Sequence, residues 1–90
     1  MFLLTCFSPA YAPRLGNEAF AVKNYDAAIK HYSDAIEVEP SNAIFYSNRS
    51  ACYAAKKDWQ EAAKDAQTCV EKDPSFLKGF FRLSTAQVFF

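Results

Sequence analysis

Shifted by 34 residues, positions 15–42 fall on 49–76 without a gap, and at several apolar pairs large residues meet large and small meet small. Tyr25 meets Trp59, Ala28 meets Ala62, Ala35 meets Cys69 and Ile36 meets Val70. Polar positions keep the same register. Lys23 meets Lys57, Asn24 meets Asp58, Lys30 meets Lys64, Glu37 meets Glu71, and Pro40-Ser41 meets Pro74-Ser75. Self-similarity at a fixed period of this length points to stacked supersecondary units, each too small to bury its apolar face alone.

Each block reads as two helices. Helix formers dominate, and no proline interrupts residues 14–39 or 41–73. Asn24 and Asp58 suit a turn or a helix N-cap, because their short side chains accept hydrogen bonds from the backbone. Pro40 and Pro74 end the second helix of each block, since proline offers no N–H to the ladder. Ser41 and Ser75 are expected to cap the helices that follow. These marks divide the chain into a leader at 1–12, one repeat at 13–42, a second at 43–76, and the first helix of a truncated third at 77–90. The expected fold is all-α, with about five helices in antiparallel pairs.

A rotation of about 100° per residue sorts the first helix of each repeat into two faces. Tyr46, Arg49, Ser50 and Tyr53 share the face that packs on the partner helix. The opposite face lines the inner groove of a stack. There the first repeat contributes Arg14 and Asn17 with Pro13 at their edge. The second contributes Ile44, Asn48, Ala51 and Ala55, and the third Lys78, Arg82 and Phe89. Glu18 is the one acid on these helices and lies off the stripe. Amide N–H groups, an ammonium and a guanidinium fork are the donors that a carboxylate requires. The expected ligand is an extended peptide with an acidic C-terminus.

The residues at these positions resemble the tetratricopeptide repeat family. Leu15-Gly16-Asn17, Tyr25, Ala28, Tyr32, Ala35 and Pro40 occupy its slots in the first repeat. Tyr46, Tyr53, Trp59, Ala62, Cys69 and Pro74 do so in the second. Ser50 replaces the small glycine and Ala66 the usual aromatic, changes expected to loosen packing slightly. The resemblance implies a right-handed superhelical solenoid. The run Tyr46-Ser47-Asn48-Arg49-Ser50-Ala51, with Gly16-Asn17 and Lys78-Gly79-Phe80-Phe81-Arg82, is similar to the carboxylate-clamp type found in co-chaperones. That likeness implies binding of Glu-Glu-Val-Asp tails of heat-shock protein 70 and 90 class chaperones. The family clamp uses two lysines, two asparagines and an arginine. Asn17, Asn48, Lys78 and Arg82 match four of these, while Pro13 stands where the first lysine would be. Arg14 either supplies that charge from a shifted place or points to solvent. The expected loss is one charge-assisted bond, about 1.5–3 kcal/mol.

Composition narrows the alternatives. With 10 Lys plus Arg against 10 Asp plus Glu, the net charge is zero and no global basic character suggests nucleic acid or an anionic membrane. Cys6, Cys52 and Cys69 are odd in number and lack a C-x-x-C spacing, which reads as free thiols in a reducing, cytoplasmic setting. The leader has an apolar Phe2-Leu3-Leu4 and a small-x-small Ala10-Tyr11-Ala12. It has no basic residue before Pro13 and is short for a signal peptide, so it reads as disordered or non-native. His31 has no catalytic partner at a motif spacing and is expected on the surface. Two glycines make no phosphate loop, and no metal-ligand spacing occurs. Neither an enzyme nor a cofactor is implied. Two readings stay open: an adaptor for chaperone tails, and a scaffold that self-associates or docks a larger protein. For the second, Leu83, Ala86 and Phe90 are expected to face a helix that this chain lacks.

Overall fold

The computed structural model describes residues 11–89, with side chains from Ala12 to Val88. Among the described residues five α-helices follow one another: α1 (Tyr11–Ala21), α2 (Tyr25–Val38), α3 (Ala43–Ala55), α4 (Trp59–Lys72) and α5 (Leu77–Phe89). Each packs on its neighbours in sequence, and α3 also touches α5. The result is an all-α solenoid of stacked helix pairs.

The turns inside the pairs form as the asparagine and aspartate require. Lys23 and Lys57 take the left-handed conformation, at φ 63° and 64°. Asn24 then accepts from the Ala27 backbone N–H, and Asp58 accepts from that of Glu61. Each side chain satisfies one of the four N–H groups that a helix start leaves open. At the other ends, Glu39 and Asp73 leave the helical region at φ −131° and −146°. A residue before proline is pushed out of that region by the ring.

Two boundaries differ from expectation. Asn42, not Ser41, caps α3, accepting from the Ile44 backbone N–H at 3.1 Å. Ser75 donates to the Asp73 carboxylate at 2.6 Å instead of capping α5. In the first linker Asn42 takes the donor in place of Ser41, and in the second Asp73 draws the Ser75 hydroxyl and backbone N–H to itself. The first helix also begins at Tyr11, before the proline. Pro13 sits within the first turn, where its missing N–H costs nothing, and Ala12 packs with Ala35 and Phe45. The rest of the leader and Phe90 lie outside the described residues.

Small residues set how closely the helices approach. A Cβ on Gly16 would lie 2.7–2.9 Å from ring atoms of Tyr32, so this glycine admits the tyrosine of α2. A Cβ on Gly79 would lie 2.8 Å from Cys69 Sγ, which brings α5 onto α4. The second repeat solves the same contact differently. Ser50 and Ala66 are fully buried, and the Ser50 hydroxyl donates to the Ala62 carbonyl at 2.7 Å. Both positions stay out of solvent despite the loss of the large ring.

One side chain joins three helices. Arg49 of α3 donates to Asp65 of α4 through Nε at 2.7 Å and Nη2 at 2.8 Å, and to Ser33 of α2 through Nη1 at 2.9 Å. Its guanidinium also stands 5.9 Å from the centre of the Tyr46 ring.

At the far end, Ala86 is 1% exposed, so it is already covered, contrary to the expectation that it awaits a further helix. Leu83 is half-buried and lines a shallow hollow with Gln60, Ala63 and Gln67 of α4. The apolar side chains left exposed on α5 are Leu77, Phe80, Phe81 and Val88. Rotation along α5 places its alanine on α4 and its large residues outward. Among the described residues no helix is long and apolar enough to cross a membrane.

Two substitutions test these contacts by chemical denaturation. Asp65→Ala strands a half-buried guanidinium and is expected to cost about 2–4 kcal/mol. Gly16→Ala gains helix propensity but drives its methyl into a rigid ring, for a net loss of about 1–2 kcal/mol.

Candidate functional site

The inner helices α1, α3 and α5 converge on one pocket. Asn17 and Phe20 come from α1, Asn48 and Ala51 from α3, and Arg82 from α5; Tyr32 of α2 closes the floor. The pocket holds about 110 Å³ and opens to solvent. Asn48 and Arg82 are 34 residues apart, so equal positions of successive repeats face each other across it.

Three of the residues singled out from sequence therefore meet: Asn17, Asn48 and Arg82. Lys78 is exposed one turn before Arg82 on α5 and does not line the pocket itself. Arg14 is turned along its own helix, where Nη1 meets Glu18 Oε2 at 2.9 Å with both side chains more than half exposed. Pro13 is half-buried and contributes no charge. His31 is half-buried on α2, not fully on the surface as expected.

The pocket's polar groups are unevenly satisfied. The Tyr32 hydroxyl donates to Asn17 Oδ1. That leaves the Asn17 Nδ2 group as the donor end. Arg82 Nε is buried, with no hydrogen-bond partner among the described residues. A buried N–H of a charged group without an acceptor is costly. Phe20 is partly exposed at the rim and stacks edge-on with Tyr25, ring centres 5.4 Å apart. The site thus offers amide and guanidinium donors beside an aromatic edge. From sequence, Tyr32 is only an aromatic slot of the first repeat. Its hydroxyl partner is 15 residues away on another helix, a contact that no periodicity encodes.

Under the pocket, Cys52 is fully buried among Ala28 and Tyr32. Burial pushes its thiol up from 9.0 to about 11, with the Arg82 charge pulling the other way. Burial, and secondarily the Cys52 charge, pushes the Tyr32 phenol up from 10.0 to about 12. Both described cysteines, Cys52 and Cys69, are free and buried. Among the described residues no cluster of His, Cys, Asp or Glu could hold a metal ion.

A stack of helix pairs with polar side chains of successive units gathered on its inner face is the architecture of a helical-repeat protein. The tetratricopeptide repeat profile matches residues 14–75, and the chain belongs to that family. It is 44% identical over 72 residues to small glutamine-rich tetratricopeptide repeat-containing protein 2 of Saccharomyces cerevisiae, covering 80% of this chain and 21% of that protein. It is 49% identical over 74 residues to heat shock protein STI1 of the same yeast, covering 81% of this chain and 13% of the relative. The chain thus spans about a fifth or less of these relatives. Among solved structures, the TPR2B domain of yeast Sti1 in complex with an Hsp70 peptide superposes with a TM-score of 0.87 at 35% identity, covering 89% of this chain and 64% of that one. The second repeat domain of Spaghetti (RPAP3), bound to the Hsp90 peptide SRMEEVD, gives 0.88 at 28% identity, covering 99% and 83%.

The raised thiol and phenol set an alkaline limit on stability. Both groups titrate higher in the folded chain than in the unfolded one, so the folded state favours their protonated forms. That stability is complete below the unfolded values and is lost as pH rises through the folded ones. The urea midpoint is expected to fall between about pH 9 and 12 as the Cys52 and Tyr32 protons leave. Cys52→Ala should remove the earlier part of that fall.

Proposed function

We propose that this chain is a co-chaperone peptide-binding module that captures the acidic C-terminal tail of heat-shock protein 70 or 90 class chaperones. The observation that carries the reading is the convergence of Asn17, Asn48 and Arg82 from three separate helices on one pocket, with Arg82 Nε buried and lacking an acceptor. A terminal carboxylate accepts from the two amides and the guanidinium. Lys78 adds its mobile charge one turn away, where a second carboxylate of the tail would lie. The partners named for the Sti1 and Spaghetti domains support the same ligand class. The module recognises and tethers without catalysing a reaction, and acts in the cytoplasm. Pro13 supplies no charge, and Arg14 meets Glu18. Binding is therefore expected to be weaker than that of a five-residue clamp.

A scaffold function is the second reading. Phe81 and Val88 of α5 are 64% and 77% exposed, and an apolar surface of this kind favours self-association.

Titration with a peptide ending in Glu-Glu-Val-Asp, beside the same peptide amidated at its C-terminus, separates the two. Tail capture predicts that amidation and high salt weaken binding. Arg82→Ala and Lys78→Ala should each weaken it about ten- to a hundredfold, the range for a charge-assisted bond. Equal binding of the amidated peptide would sink the tail reading. Mass that rises with concentration, with no response to peptide, would favour the scaffold.

A further inference from the structure

We infer that Tyr32 is a positioning residue for carboxylate recognition: its hydroxyl holds Asn17 Oδ1 and thereby turns the Asn17 Nδ2 group toward the groove. The inference rests on the reading of this pocket as a carboxylate site.

An asparagine amide has one accepting and one donating end, and the two ends have nearly the same shape. Only the donating end serves an anion. Something must therefore choose between two orientations of Asn17. Tyr32 is 2% exposed, and a buried phenol needs an acceptor. Its ring is seated against Gly16, where any Cβ would collide with it. The hydroxyl is thus fixed in place, and it donates to Asn17 Oδ1. In the opposite orientation the phenol oxygen would accept from Nδ2–H, and the buried phenol proton would lose Asn17 Oδ1 as its acceptor. The phenol proton is retained far above neutral pH, because burial raises its pKa to about 12.

The second repeat supplies an internal comparison. At the position equivalent to Tyr32 it has Ala66, and at the position equivalent to Asn17 it has Ala51. The phenol and the amide occur together in the first repeat and are missing together in the second.

The test is a cycle of Tyr32→Phe and Asn17→Ala, read with the Glu-Glu-Val-Asp peptide in its free and amidated forms. Phenylalanine keeps the ring that fills the space beside Gly16. Tyr32→Phe should weaken the free-carboxylate peptide about three- to tenfold, the effect of a single hydrogen bond. In the Asn17→Ala background it should change affinity less than about twofold, since the group it orients is gone. Equal weakening in both backgrounds would show Tyr32 to be structural and overturn the proposal. The unmutated chain gives a readout that depends on no variant. Its Asn17 Nδ2 protons should shift with the free-carboxylate peptide and stay in place with the amidated one; protons unmoved by a peptide that binds overturn the proposal. If the unmutated chain binds neither peptide, the tail reading itself fails. The Nδ2 proton shifts of the unbound chain then decide the positioning role: a change on Tyr32→Phe supports it, and no change overturns it.

Discussion

The guanidinium of Arg49 is the constraint that orders the rest. It gives two parallel bonds to Asp65 and a third to Ser33, so α2, α3 and α4 meet at one planar group. A fork of this kind fixes orientation as well as distance. With Arg49 committed to the seam between helices, the adjacent Asn48 is rotated by about 100° toward the inner face. The placement of the groove amide is therefore a consequence of a bond made on the other side of the helix. The pair is most valuable as a register device, because burying charge yields little net stability.

Around that fork, close approach is obtained in two ways. The first repeat uses glycine against a large ring, Gly16 against Tyr32. The second uses serine against alanine, with the serine hydroxyl bonded to a backbone carbonyl. The two repeats exchange volume between facing positions, glycine and tyrosine in one for serine and alanine in the other. That exchange has a functional side. The large ring in the first repeat ends in a hydroxyl at the pocket floor, whereas the second repeat leaves only small side chains there. The pocket is consequently asymmetric along the solenoid axis.

Much of this was legible in the sequence because it is written in local or periodic terms. Prolines mark the ends of α2 and α4, and Asn24 and Asp58 cap the helices inside each pair, since both effects act within four residues. The convergence of Asn17, Asn48 and Arg82 followed from rotation about each helix combined with the repeat period. The features that escaped depend on geometry between elements. Asp65 could not be named as the partner of Arg49, and the bond from Tyr32 to Asn17 spans two helices. Asn42 displaced Ser41 as a cap because a one-residue change in linker path decides which side chain reaches the free N–H. Arg14 was left between groove and solvent by the sequence, and the structure turns it to Glu18. Ala86 was assigned to an open face because the helical wheel does not reveal how far α5 leans on α4.

The distribution of charge in this neutral chain has a kinetic meaning. Glu18 is the one acid on the inner helices, while the other carboxylates sit on α2, α4 and their flanking turns. Zero net charge therefore coexists with a dipole across the slab, positive toward the groove. An anionic chain end drifting past experiences a torque and a pull before any contact forms. Much of that field disappears over about 8–10 Å at ordinary ionic strength. For an acidic tail of the kind proposed, its action would be confined to the last steps of encounter, where it would orient the arriving end and hasten capture, while the duration of the complex would be set by the pocket.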